Sequence, residues 1–161
     1  MFEQIVPDGQ TPTPTLVAAW LVLGTLRTES VPMWAANWLV QGYDGSSLVE
    51  LAGLSGRDTH EVRDLLPAAL ADVGVAVPSS RQAAVKVAYD HVARFHLSGR
   101  AHWAWVVDKV VELVEANDYA VEAFEQPLAG LWAIESGEPW SRTDPELAAE
   151  VHQACLEQLA G

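Results

Sequence analysis

The sequence predicts an all-α fold, a single compact multi-helix domain of seven or eight helices, and three observations carry that prediction. Apolar residues recur three and four apart through most of the chain. Helix-opening residues (Ser, Thr or Asp, with Pro in a first turn) stand ahead of the apolar runs. Only VGVAVPSS at 73–80 has an extended, β-branched character, and one isolated run of that kind makes a connector, not a sheet.

Residues 1–12 read as an extended lead-in, and 13–161 as the domain. Thr13 caps the first helix and Pro14 fills its first turn. Apolar positions run from Leu16 to Leu26, and Gly24 weakens the helix but need not end it. A second helix starts at Pro32, carries Met33, Trp34, Ala35, Trp38 and Leu39, and stops at Gly42. Ser46 or Ser47 caps a short helix to Leu54. Asp58 or Thr59 opens the next, with Asp58 and Glu61 at capping-box spacing and Pro67 expected to kink or break it. Serines precede a long helix with Ala84, Val85, Ala88, Val92 and Phe95 on one stripe. SGR at 98–100 ends it, and a helix with Val106, Val107, Val110, Leu113 and Val114 follows. So short a break predicts a long antiparallel helical hairpin. Pro127 then divides a piece at 119–125 from one at 127–136, and Thr143 with Pro145 opens the last helix.

Within this frame ELAGLSGRDTHEVRDLL, residues 50–66, resembles the helix-turn-helix motif. Ala52, Gly56, Val62 and Leu65 fill its small, turn-glycine and apolar-anchor positions over about twenty residues. Two departures oppose a DNA reader. Charged Arg57 follows the turn glycine where an apolar residue is usual, and the would-be reading helix sets Asp58, Glu61 and Asp64 against Arg63. Binding to DNA begins with neutralising phosphates, so nucleic acid is disfavoured as a ligand.

Charge points the same way. The net charge is −13. Residues 1–80 hold three cations against nine acids, 81–109 five against two, and 110–161 Arg142 alone against eleven. An acidic final third behind a mildly basic middle suits a basic protein partner. Glu112, Glu115, Asp118, Glu122, Glu125, Glu135 and Glu138 are its candidate interface, with Trp132 or Trp140 as an anchor.

A second candidate surface is the indole stripe of Trp34 and Trp38, four apart on one helical face, with Asn37, Gln41, Tyr43 and Asp44 beside it. It could wall a small-molecule pocket, form a partner patch, or fill the core. Metal and nucleophile chemistry find less support. His91 and His96 are five apart where paired ligands want three or four, and no zinc motif is present. His152 and Cys155 can touch on the last helix, but Glu146, Glu150 and Glu157 surround them without a cation to lower the thiol pKa. No cofactor-binding loop is recognisable, and no cofactor or metal is expected.

The N-terminus lacks a signal-peptide pattern, and the longest apolar run, LVAAWLVLG at 16–24, is shorter than the ~20 residues needed to span a bilayer. The expectation is a cytoplasmic, non-enzymatic protein that binds another protein, as inhibitors, immunity proteins and adaptors do. A Trp-pocket ligand binder or small enzyme is the alternative, a helix-turn-helix regulator the second. Homodimerisation is compatible with all three.

Overall fold

The computed structural model describes residues 10–136 and 143–161, and the fold is all-helical. Among the described residues the α-helices are α1 (Pro14–Leu23), α2 (Val31–Val40), α3 (Ser46–Ala52), α4 (Thr59–Asp72), α5 (Arg81–Leu97), α6 (Trp103–Ala116), α7 (Val121–Phe124), α8 (Trp132–Ser136) and α9 (Asp144–Ala160). Short 3₁₀ turns occupy Thr28–Ser30 and Pro127–Leu131. This exceeds seven or eight because α7 and α8 are single-turn pieces, too short to carry a hydrophobic period. No strand forms among these residues, and 73–80 is an irregular connector. Nor is any described helix long and apolar enough to cross a membrane.

The described residues group into two compact units, one up to Ala84 and one from Val85 onward. The boundary falls in the first turn of α5.

In the first unit, α1 begins as its sequence dictates: Thr13 Oγ1 accepts from Leu16 N–H at 3.2 Å and Pro14 needs no partner. The helix does not run on past Gly24. Gly24 takes φ +73°, and Thr25 N–H turns back to the Trp20 carbonyl at 3.1 Å, which closes the helix at Leu23. At Pro67, where the sequence predicts a kink or a break, no break occurs. The helix α4 continues through it, because Val62 and Leu66 before it and Ala69 and Leu70 after it are all buried on one face. Burying that stripe outweighs the lost hydrogen bond of an exposed proline.

The start of α3 is a further correction. Neither Ser46 nor Ser47 is its N-cap residue; Gly45 is, and it has no side chain to offer. Asp72, at the far end of α4, takes over: its Oδ2 accepts from Ser47 N–H at 2.9 Å and Leu48 N–H at 3.2 Å. A Cβ on Gly45 would overlap the Asp72 side chain, so glycine is what lets the carboxylate reach the helix end. Asp58 occupies the N-cap position of α4 without a side-chain cap bond, so its predicted capping box does not form.

Firmer local signals open α5, at the boundary, and α9, in the second unit. Ser80 Oγ accepts from Ala83 N–H at 3.1 Å at the head of α5, and Thr143 with Glu146 forms a capping box on α9. His102 caps α6 through Nδ1, which accepts from Ala104 N–H at 3.1 Å. Across the turn between α5 and α6, the Phe95 ring lies 5.1 Å from Trp105. Val85, Ala88, Val92, Val110, Leu113, Leu128, Val151 and Cys155 are buried here.

A buried polar network runs through this unit. Gln158 donates to Asp90 Oδ1 at 2.8 Å and to Gln126 at 3.0 Å, and accepts from Leu128 N–H at 3.1 Å. Lys86 closes the other side of Asp90 at 2.7 Å. Tyr89 donates to the Ala123 carbonyl at 2.8 Å. The segment 121–131 holds only a four-residue α-helix and a five-residue 3₁₀ turn, too short to hold themselves, so these bonds to α5 and α9 fix its position.

Candidate functional site

Of the two surfaces the sequence offers, the indole stripe goes inward. Trp38 has no exposed surface, and its indole N–H donates to the Pro12 carbonyl at 2.9 Å. Trp34 is buried with its ring 5.8 Å from Trp20. Asn37 donates to Thr11 Oγ1 at 2.8 Å, so amide and indole together fasten the approach to α1. Gln41, Tyr43 and Asp44 lie exposed beyond the helix end. The six residues are therefore divided between buried packing and a solvated turn. The Trp38 indole N–H is used within the fold and both rings are buried, as in a packed core.

The acidic block is divided too. Glu112 is the counter-ion of Lys109, its carboxylate oxygens 3.0 and 3.2 Å from an ammonium whose side chain is 5% exposed. The same ammonium stands 5.9 Å from the centre of the Trp105 ring. Glu115, Asp118 and Glu125 are exposed and Glu122 is half-buried. Glu138 and Trp140 lie outside the described residues, as does the side chain of Glu135.

The chain between α6 and α7 is where the exposed acids meet exposed apolar side chains, and its backbone explains why. In α1, α2, α4 and α5 the helix end is closed by a glycine of positive φ, and the next residue's N–H reaches back five positions. α6 ends with the same bonds, Tyr119 N–H to Val114 and Asp118 N–H to Glu115, both 3.0 Å. Here the glycine position holds Asp118, at φ +53°, and Tyr119 follows at φ +57°. Two consecutive non-glycine residues in the left-handed region are costly, about 1–2 kcal/mol each. Buried Asn117, bonded through its side chain to the Leu113 carbonyl at 2.7 Å, helps hold them there.

The result is an edge on which Tyr119 is 56% exposed, Val121 70% and Phe124 41%. Trp132, half-buried, meets Phe124 edge-on at 5.7 Å. Glu115, Asp118, Glu122 and Glu125 are interleaved with these side chains along the chain. Sequence reasoning singled out the acids and Trp132 but not Tyr119, Val121 or Phe124. The available signal was the missing glycine after VEAN.

The other constellations do not assemble into reactive groups. Cys155 is fully buried, and burial pushes its thiol up to about 11, so it is protonated at neutral pH. Its sequence neighbour His152 is exposed and its ring meets that of His96 edge-on at 6.0 Å. His96 in turn bonds the Ala101 carbonyl through Nδ1 at 2.8 Å. Among the described residues no three His, Cys, Asp or Glu side chains are placed to hold a metal ion.

Compared with protein-family models, with curated proteins and with solved structures, the chain finds no match.

Proposed function

We propose that this is a non-enzymatic, acidic helical protein whose second unit binds a basic protein partner through the edge from Glu115 to Trp132. The observation that supports this best is the pair of left-handed residues Asp118 and Tyr119. Local strain persists only where the surroundings over-determine it, and it concentrates at binding and switch sites. Here it sets aromatic and aliphatic side chains outward among carboxylates, the composition of an interface anchor with a steering rim. The net charge of −13 adds long-range attraction for a basic partner.

The test compares the intact tagged chain with E115K/E122K/E125K and with Y119A. Each is used to capture proteins from lysate at low and high salt, with mass spectrometry of the eluate. The expected result is a basic protein held near one-to-one, shed by salt, and lost with both variants. A partner retained equally by all three proteins would remove this edge from the function.

A further inference from the structure

A separate surface in the first unit carries its own inference, independent of the reading above. Between α3 and α4 lies an open pocket of about 270 Å³ lined by Glu50, Leu54, Glu61, Asp64 and Leu65. Small-molecule sites generally run from about 300 to 1,000 Å³, so this volume suits one or two side chains better than a whole ligand. Leu54 and Leu65 are half-exposed and supply apolar contact. The three carboxylates are exposed, and no Lys or Arg is among the lining residues. His60 stands 3.3 Å from Asp64, while Glu50 and Glu61 hold no ion pair among the described residues.

Two backbone contacts make the cleft a preformed one. Gly56, in the turn, lies so near Glu29 that a Cβ on it would stand 2.5 Å from the Glu29 carbonyl oxygen. Asp72 at the end of α4 binds the first amides of α3. Both helices are thus tied at positions outside the pocket, and a partner need not order them.

The geometry points to this cleft as a docking site for a basic amphipathic segment of another protein. A lysine or arginine sits between Glu50, Glu61 and Asp64, and an adjacent apolar side chain packs on Leu54 and Leu65. The charge that repels a phosphate backbone from a helix-turn-helix is what selects such a segment.

The probe is a short fluorescein-labelled helical peptide with leucines along one face and arginines flanking them, titrated into the full chain and read by polarisation. A second peptide carries glutamate for each arginine. Binding of the arginine peptide alone is expected, weakened roughly tenfold or more in E61K/D64K and unchanged in E115K/E122K. Amide chemical-shift changes in the native chain are expected at α3, α4 and their turn, which locates the site without relying on any variant. No binding of the arginine peptide would overturn the inference. So would equal weakening by both variant pairs, which is non-specific attraction, or shift changes that avoid the cleft. Displacement of the peptide by duplex DNA at low salt would also overturn it, in favour of nucleic acid.

Discussion

Asp118 stands where four other helix ends place glycine, and the substitution Asp118→Gly separates strain from purpose. Glycine takes positive φ without a Cβ penalty, so the fold should gain about 1 kcal/mol, read as a higher urea midpoint at unchanged slope. A loss of stability would mean that the carboxylate itself holds the turn. Within the same acidic block the residues are not equivalent. Glu112→Ala removes the carboxylate that accompanies the nearly buried Lys109 and should cost about 1–3 kcal/mol, whereas Glu115→Ala, fully on the surface, should be near neutral. Cys155 adds a pH dependence whose sign follows from its burial. The folded thiol keeps its proton up to about 11, while the unfolded one loses it near 9. The folded chain therefore binds more protons in that window. Stability is full below pH 9 and falls as pH rises toward 11, by at most about 1.4 kcal/mol per unit for this one group. Tyr89, pushed up by burial, acts in the same direction. Urea titrations at pH 8, 9 and 10.5 on the native chain and on Cys155→Ala read the difference: the fall should be shallower in the variant.

The pairing of α3 with α4 depends on contacts that no local signal announces. Asp72→Ala should strip α3 of the side-chain cap it has among the described residues and cost about 1 kcal/mol, as losing a helix cap does. Gly56→Ala should cost roughly 1–3 kcal/mol, since the Glu29 backbone must move to admit a methyl group. Circular-dichroism melts of both variants check this, and an unchanged Gly56→Ala would show that the turn gives way freely. The contrast marks what was legible beforehand. Thr13, Ser80, Thr143 and Glu146 act within four residues of themselves, so their caps could be read directly from spacing. Asp72 acts across twenty-five residues, and nothing in SSLVELA points to it. Residue type alone settles neither Pro67 nor Gly24: burial on either side carries α4 through a proline without a break, while a returning N–H ends α1 at a glycine. The candidate edge was half legible. Its acids stood out as charge, but Tyr119, Val121 and Phe124 became an exposed set only through a backbone conformation that the sequence shows merely as an absent glycine.

Charge across the whole chain sets the last expectation, and magnitudes decide its sign. With 22 acids against 9 lysines and arginines, like charges outnumber the opportunities for pairing. The ion pairs among the described residues include Arg27–Glu29 and His60–Asp64, both exposed, and exposed pairs are readily screened and add little. Lys109–Glu112 is nearly buried on its cationic side and loses little to screening, and Lys86–Asp90 is shielded on its carboxylate side alone. Salt therefore weakens few favourable terms, while it screens repulsion along a final third in which Arg142 alone stands against eleven acids. At 0.1 M the screening length is ~10 Å, so repulsion between exposed carboxylates farther apart than that is largely removed. The melting temperature should accordingly rise by a few degrees between about 10 and 150 mM NaCl, the reverse of what a fold held by surface ion pairs would do. The proposed partner complex must move the other way, because salt screens attraction between chains as readily as repulsion within one. A stability that rises with salt while the partner is shed over the same range identifies the acidic surface as a charge kept for recognition at a cost to the fold. If both fall together, the ion pairs dominate, and the acids belong to the stability of the chain instead of to its binding.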